Sequence, residues 1–239
     1  MMAGALGMAN TENKLSFEFN PIVRGMKIAD SKTLFPIHRV FCVGKNYAEH
    51  AKEMGSEIEK KEPFFFSKVP ESVTQVDKVL IPEDTANLHH EVELVVCLKK
   101  GGMNIDVDAA HQCIFGYAVG VDLTKRDIQK NSKDKGHPWE SAKSFDQSGP
   151  ISEIRKYEEV VLKNNNISLS INGEEKQSAS INMMVWGIEE LISILSQKVI
   201  LKPGDILFTG TPAGVGNIKK GDILEASIDE VGALKLSFE

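Results

Sequence analysis

Short apolar runs, separated by turn-forming residues, recur along the chain and predict many β-strands. The predicted strands are Val40 to Val43, Phe64 to Lys68, Glu91 to Leu98, Phe115 to Val121, Ile167 to Ile171, Ile206 to Thr209 and Ile223 to Ile228. Asn172-Gly173 predicts a two-residue hairpin turn, because both residues tolerate positive φ. This pattern indicates a strand-rich α+β fold, compatible with a rolled sheet that carries a few helices on its outside.

Few segments show helical spacing. The longest predicted helix runs from Met183 to Gln197, and its apolar stripe is typical of core packing without chemistry. Good helix formers from Ala48 to Met54 precede Gly55, which predicts a short helix that ends there. A further helix is predicted from Leu123 to Gln129.

Two carboxylates interrupt one of the apolar strands. In His89-His90-Glu91-Val92-Glu93-Leu94, strand alternation places Glu91 and Glu93 on one face. Burial of two like charges is costly unless a positive charge lies between them, and a divalent cation is the simplest candidate. The alternative is an edge strand whose acidic face is exposed to solvent.

Asp122 adds a third carboxylate at the end of the predicted strand that begins at Phe115. Together with Glu91 and Glu93 it would form an all-oxygen ligand set, which suits Mg²⁺ or Mn²⁺ better than zinc or copper. The alternative role of Asp122 is to cap the helix predicted directly after it. The spacing leaves both roles open.

Composition narrows the class of protein. The chain has 239 residues, 41% hydrophobic and 26% charged, as is ordinary for a globular protein. A formal net charge of -6 argues against nucleic-acid or anionic-membrane partners. We expect a flexible lead-in over residues 1 to 20 and one domain over residues 21 to 239. Three widely spaced cysteines and the absence of a long apolar segment lead us to expect a cytoplasmic protein without disulfides.

Five motifs, in order, resemble the fumarylacetoacetate hydrolase family. They are Phe41 to His50 (FCVGKNYAEH), the Glu91-Val92-Glu93 strand, Gly120 to Thr124 (GVDLT), Ala142 to Asp146 (AKSFD) and Pro203 to Gly216 (PGDILFTGTPAGVG). The resemblance covers the chain from about Pro36 to the C-terminus and is closest to the acylpyruvase and oxaloacetate-processing branch. It implies a β-rich roll, like the C-terminal domain of fumarylacetoacetase, that commonly assembles as a homodimer.

The resemblance also assigns roles to individual residues. His50 and Glu53 lie three residues apart, which places them on one helix face, and the family pattern makes them a catalytic dyad that activates water. Without the resemblance they would be an ordinary surface pair. The resemblance also implies that Lys143 is a catalytic group that stabilises an enolate oxygen and that Gln129 hydrogen-bonds the substrate. Arg126 could bind a substrate carboxylate or pair with a metal-binding acid.

The glycine-rich loop from Gly210 to Gly216 follows a strand but lacks the Gly-Lys-Ser/Thr ending of a phosphate-binding loop. We interpret Gly210 and Thr211 as substrate-binding groups, with backbone N–H groups and the Thr211 hydroxyl facing a carboxylate. The alternative is a set of tight turns. Val69 separates Lys68 from Pro70, whereas the family pattern places lysine directly before proline, so Lys68 is not assigned to the site.

The sequence therefore predicts a Mg²⁺- or Mn²⁺-dependent hydrolase that cleaves a C–C bond in small 2,4-dioxo acids. Oxaloacetate decarboxylation and keto–enol tautomerisation are the alternatives, because the same site could support them. A binding protein that uses the acidic cluster only as a structural cation site, and a metal-free binding domain, are rivals from another class.

Overall fold

Strands make up most of the regular structure in the computed structural model, which describes residue 18, residues 23 to 55 and residues 62 to 239. The strands of this part of the chain are β1 Gly25–Lys27, β2 Leu34–Pro36, β3 Val40–Gly44, β4 Phe64–Lys68, β5 Val73–Thr74, β6 Lys78–Val79, β7 Leu88–His90, β8 Val92–Leu98, β9 Ile114–Val121, β10 Thr124–Lys125, β11 Gly149–Pro150, β12 Arg155–Lys156, β13 Asn166–Ile171, β14 Glu174–Ser180, β15 Ile206–Phe208, β16 Gly216–Asn217, β17 Ile223–Ile228 and β18 Gly232–Phe238. The predicted lead-in lies almost entirely outside the described residues, and the single domain from residue 21 onward stays a prediction.

Two larger sheets organise these strands. One has the order β12-β9-β8-β15-β3-β4, and the other has the order β14-β13-β17-β18-β6. The strands β15 and β3 pair in parallel, whereas β8 is antiparallel to both of its neighbours, so the sheet is mixed. Asn172 and Gly173, with φ values of 52° and 81°, join β13 to β14 in the predicted two-residue turn. The prediction of a strand-rich α+β fold is confirmed.

The acidic strand lies deep inside the protein. β8 is the third of six strands, and all seven of its residues are buried. Val92, Leu94 and Val96 face the core shared with the second sheet, as predicted from alternation. Val95 and Cys97 face a second apolar cluster on the opposite side. The alternative of a solvated edge strand is therefore wrong.

The described helices are short and lie around the sheets. They are α1 Ala48–Glu53, α2 Val107–Ala110, α3 Arg126–Lys135, α4 Glu140–Lys143 and α5 Ile188–Lys198, with 3-10 turns at Pro70–Ser72, His111–Cys113, Tyr157–Glu159 and Ile181–Met183. The predicted end of α1 is confirmed, since Gly55 follows it with a φ of 71°. None of the helices in the described part of the chain is long and apolar enough to cross a membrane.

The predicted start of the longest helix, at Met183, is wrong. Met183 instead ends a 3-10 turn, and residues 184 to 186 do not continue as a helix, because Val185 N donates to Asn46 O at 2.8 Å and Trp186 N donates to Asn46 Oδ1 at 2.9 Å. α5 begins only after Gly187, whose N–H donates to Glu190 Oε2. These tertiary hydrogen bonds override the apolar spacing that extended the prediction upstream.

The helix predicted from Leu123 also begins later, at Arg126. Thr124 and Lys125 form β10 and pair with His89 and Leu88 of β7, so this segment is extended. Asp122 consequently does not cap the helix, because Lys125 is the residue that precedes its first turn. The Asp122 carboxylate is free for another role.

Candidate metal centre and active site

Glu91, Glu93 and Asp122 converge on one buried point. One carboxylate oxygen from each lies within 4.8 Å of those of the other two. Glu93 lies in β8, Glu91 directly precedes this strand, and Asp122 directly follows β9, its antiparallel partner. The pairing of Val92 with Val121 brings the three carboxylates together from two strand ends. The spatial cluster predicted from the sequence is present.

Three cations surround these carboxylates. Lys143 Nζ donates to Glu91 Oε2 at 2.8 Å and to Asp122 Oδ2 at 2.6 Å. Arg126 Nη2 pairs with the other oxygen of Glu91. Lys68 Nζ lies 2.9 Å from Asp122 Oδ1. Three buried or nearly buried cations therefore surround the carboxyl groups before any metal binds.

Burial and charge shift the pKa values within this cluster in opposite directions. Burial, reinforced by Asp122 and Glu91, raises the pKa of Glu93 well above its usual range. Burial acts in the same direction on Glu91, but Lys143 and Arg126 outweigh it and lower the pKa of Glu91. Although burial opposes it, Asp122 and Glu91 raise the pKa of Lys143 to about 12. Lys143 is therefore an ammonium group, and Glu93 is the carboxylate that lacks a cation.

The donor set fits a divalent cation. Despite the nearby lysine, Asp122 Oδ1 is buried and accepts no hydrogen bond from the described residues. Glu93 accepts one from the backbone N–H of Gly210. Three buried carboxyl groups with convergent oxygens, one of them without an ion pair among the described residues, form the all-oxygen donor set that a hard cation such as Mg²⁺ or Mn²⁺ prefers. Glu91, Glu93 and Asp122 could hold this ion.

Lys68 is part of the site, although the sequence reasoning left it out. It is the last residue of β4, and its side chain is fully buried. Its Nζ donates to Ser148 Oγ at 3.1 Å and to the carbonyl oxygen of Lys143. The insertion of Val69 does not displace this lysine, because β4 pairs in register with β3 up to Lys68 itself. The signal available in the sequence was a lysine that ends an apolar predicted strand, Phe64 to Lys68.

The candidate dyad lies at the same place. His50 Nδ1 is 3.2 Å from Glu53 Oε2 on α1, and the imidazole is almost fully buried. Glu53 also accepts hydrogen bonds of 3.1 Å and 3.2 Å from the backbone N–H of Gly214. His50 lines one cavity together with Glu91 and Glu93. A base oriented by a carboxylate therefore faces the acidic cluster.

The glycine-rich loop contacts acids of the protein itself. The N–H of Gly210 donates to Glu93 Oε2 at 2.7 Å, so the prediction that this group faces a substrate carboxylate is wrong. Thr211 does line the cavity, as expected for a substrate-binding group. Its Oγ1 accepts a hydrogen bond of 2.8 Å from Gln177 Nε2, which leaves the hydroxyl proton of Thr211 available as a donor.

Arg126 and Gln129 occupy the first turn of α3. Of the two roles left open for Arg126, the structure shows the ion pair with a candidate metal ligand, Glu91. Arg126 Nη1 also donates to Gln129 Oε1 at 2.7 Å. The Gln129 amide nitrogen makes no hydrogen bond to another described residue and lies at the cavity wall, where it can donate to a ligand.

Residues 39 to 238 match the model of the fumarylacetoacetate (FAA) hydrolase C-terminal family. The chain belongs to this family. It is 36% identical to the fumarylpyruvate hydrolase of Ralstonia sp over 187 residues, 77% of this chain and 97% of that protein. It is 40% identical to the oxaloacetate tautomerase YcgM of Escherichia coli K12 over 198 residues, 82% of this chain and 90% of that protein.

The solved structures agree with this family assignment. The fumarylpyruvate hydrolase of Pseudomonas aeruginosa, crystallised with Mn²⁺ and pyruvate, superposes with a TM-score of 0.90. The two chains are 39% identical, and the match covers 93% of this chain and 99% of the other. The predicted family, branch and fold are confirmed, and the chain is an enzyme of the fumarylacetoacetate hydrolase family.

Proposed function

We propose that the protein is a divalent-metal-dependent hydrolase that cleaves a C–C bond in small 2,4-dioxo acids. The observation that carries this proposal is the position of His50, which is paired with Glu53, on the wall of the cavity that Glu91 and Glu93 also line. Hydrolysis is the one of the three candidate reactions that needs an activated water molecule. A relative named fumarylpyruvate hydrolase, and another crystallised with Mn²⁺ and pyruvate, support the proposal.

Each residue of the site has a role in this reaction. A divalent cation held by Glu91, Glu93 and Asp122 would supply Lewis-acid polarisation of a bound 2-oxo acid. His50, oriented by Glu53, accepts a proton from water as the water oxygen bonds to the distal carbonyl carbon. The C–C bond then breaks and its electrons form the enolate of pyruvate, to which His50 returns the proton.

Lys143 and its neighbours stabilise and orient the reacting acid. Two of the three N–H groups of Lys143 donate to Glu91 and Asp122, so one remains for an enolate oxygen. Gln129 and Thr211 each offer a donor to the substrate, as argued above. Arg126 acts through Glu91, which it holds in place.

Oxaloacetate decarboxylation or tautomerisation is the second candidate function. It is favoured by relatives named oxaloacetate tautomerase, in Escherichia coli and, as a mitochondrial protein, in Mus musculus, each 40% identical to this chain. These reactions need the enolate stabilisation by Lys143 but no attack by water. The choice between the functions therefore depends on whether His50 and Glu53 are required.

An absorbance assay distinguishes the candidates. Loss of the enol absorbance of acetylpyruvate is followed with Mg²⁺, with Mn²⁺ and with EDTA, beside oxaloacetate, and pyruvate is quantified in each case. The proposal expects metal-dependent pyruvate release from acetylpyruvate that Glu91→Ala abolishes and the exposed control Glu175→Ala leaves intact. If the enzyme turns over only oxaloacetate, the hydrolase proposal is wrong and the enzyme is an oxaloacetate decarboxylase or tautomerase. Metal binding without turnover of either acid would overturn both in favour of a structural cation site.

Three finer predictions remain to be tested. We infer that the enzyme works as a homodimer, as the family resemblance implies, and light scattering in solution measures its mass. Comparison of Mg²⁺ with Mn²⁺ in the assay above gives the preferred ion. The cytoplasmic location is supported by three free and buried cysteines, Cys42, Cys97 and Cys113.

A further inference from the structure

Helix α3 presents three polar side chains to the cavity. Arg126, Gln129 and Lys133 follow one another at spacings of three and four residues, and all three line the cavity. The guanidinium of Arg126 is occupied by Glu91 and Gln129. Lys133, in contrast, forms no ion pair with any carboxylate of the described residues. It is a cation at the mouth of the cavity that the mechanism above does not use.

An aromatic wall holds the Lys133 ammonium in this position. Its Nζ lies 4.8 Å from the centroid of the Trp139 ring. The Trp139 ring packs against Phe64, with ring centroids 5.0 Å apart, and against Phe66, at 6.1 Å. Burial lowers the pKa of Lys133, and the charges of Arg126 and Lys45 act in the same direction. A ligand carboxylate would relieve this repulsion.

Lys45 brings a second unpaired cation to the same cavity. It follows β3, lines the cavity and forms no ion pair with a carboxylate of the residues that the structure describes. Its backbone has a φ of 60°, a conformation that glycine or asparagine adopts more readily than lysine. The next residue, Asn46, fixes this conformation, since its amide nitrogen donates to the carbonyl oxygens of Trp186 and Thr209.

We propose that Lys133, assisted by Lys45, binds a carboxylate at the far end of the substrate, so that the enzyme prefers dioxo acids with two carboxylates. This inference rests on the proposed function, which places the 2-oxo acid end of the substrate beside Glu91, Glu93 and Asp122. Lys68, Arg126 and Lys143 are paired with that cluster, so they are not available to a second carboxylate. A substrate with an uncharged tail leaves both Lys133 and Lys45 without a partner.

Binding of two unreactive acids tests this preference without catalysis. 2-Oxoglutarate and 2-oxopentanoate have the same five-carbon chain and differ in the terminal carboxylate. Titration calorimetry with the Mn²⁺-loaded protein is expected to show binding of 2-oxoglutarate about tenfold more tightly or better, as for a hydrogen bond between charged groups. Equal affinities in the wild-type protein would overturn the proposal.

Variants of α3 test whether Lys133 causes the preference for 2-oxoglutarate over 2-oxopentanoate. Lys133→Met removes the charge but keeps a long, unbranched side chain, and it should weaken 2-oxoglutarate binding by about tenfold or more while the affinity for 2-oxopentanoate is unchanged. Lys133→Arg should retain the preference. The control is Lys130→Met on the same helix, because Lys130 pairs with Asp134 at 2.6 Å and is exposed. An equal loss of affinity for both acids in Lys133→Met would assign Lys133 a purely structural role.

A second pair of compounds separates this proposal from the proposed function. A 2,4-dioxo acid with a terminal carboxylate is compared with its methyl ester at that end. Equal kcat/KM for the two would overturn the dicarboxylate preference and leave the hydrolase proposal intact. If neither compound is turned over but 2-oxoglutarate still binds more tightly through Lys133 in the calorimetry, the hydrolase proposal is wrong. The carboxylate site at Lys133 would then stand.

Discussion

The backbone N–H of Gly210 donates a hydrogen bond of 2.7 Å to Oε2 of Glu93. Gly210 has a φ of 96°, and a Cβ atom added to it would lie 2.7 Å from the Cβ of Asn46. The loop can therefore approach the carboxylate only with glycine at this position. The glycine-rich loop, which resembles a ligand-binding loop in sequence, orients one of the candidate metal ligands.

Substitution of Gly210 should break the hydrogen bond that orients Glu93. Gly210→Ala is expected to lower the free energy of unfolding by about 1–3 kcal/mol, because it adds strain and a close contact. It should also weaken Mn²⁺ binding, since Glu93 loses its orienting donor. Denaturant unfolding and calorimetry measure the two effects. Gly221→Ala is the control, because Gly221 has a φ of 91° and open space around it; it should lose stability without a change in Mn²⁺ affinity.

The His50–Glu53 pair should be required for hydrolysis and dispensable for metal binding. Glu53→Gln removes the charge that orients the imidazole, so we expect kcat for acylpyruvate cleavage to fall by about 10²-fold or more. Glu49→Gln on the same helix is the matched control, because Glu49 is exposed and pairs with Lys52 at 2.7 Å. Steady-state kinetics and Mn²⁺ titrations would show the difference. A hydrolysis rate in Glu53→Gln equal to that of Glu49→Gln would rule out the dyad.

Metal affinity should rise with pH. Burial, Asp122 and Glu91 raise the pKa of Glu93, so in the metal-free protein this group keeps its proton to a higher pH than an ordinary glutamate near about 4.3. A cation must displace that proton, and its binding is therefore weaker below the raised pKa. The increase in melting temperature on adding Mn²⁺ should grow as the pH rises. Glu93→Gln cannot titrate, so a pH dependence that persists in this variant would contradict the explanation.

Lys68 should stabilise the metal-free protein and oppose metal binding. Lys68→Met leaves Asp122 with one cation fewer in a buried cluster, for which a loss of about 3–5 kcal/mol in the free energy of unfolding is expected. The same substitution removes a positive charge beside the metal ligands, so Mn²⁺ should bind more tightly. Unfolding with and without Mn²⁺ measures both effects. Lys78→Met, at an exposed pair with Glu239, should change neither quantity. Unchanged Mn²⁺ affinity in Lys68→Met would refute the explanation that the Lys68 charge opposes the metal.

The sequence predicted the parts of this fold that depend on local pattern. Alternation predicted that Glu91 and Glu93 share one face of a strand, and Asn172-Gly173 predicted its hairpin, because both depend on local backbone geometry alone. The start of α5 was placed too early, since Asn46, distant in sequence, binds the backbone of residues 185 and 186 and keeps them out of the helix. Lys68 was missed for a related reason, because its role depends on contacts with Asp122 and Ser148 across the fold.

The different roles of Arg126 and Lys133 also depend on contacts that the sequence does not reveal. Both are basic residues of α3, and only Arg126 was expected from the sequence to belong to the site. The structure pairs Arg126 with Glu91 and leaves Lys133 at the cavity mouth, a difference that follows from which carboxylate each one reaches. Sequence spacing places both side chains on one helix face but does not supply their partners.

Anomalous diffraction from crystals grown with Mn²⁺ would locate the metal ion itself. We expect one strong manganese peak within coordination distance of carboxylate oxygens from Glu91, Glu93 and Asp122, next to His50. The peak should vanish in crystals of Glu93→Ala. A manganese peak bound elsewhere, or none beside these three residues at saturating Mn²⁺, would contradict the proposed metal centre and the reaction built on it.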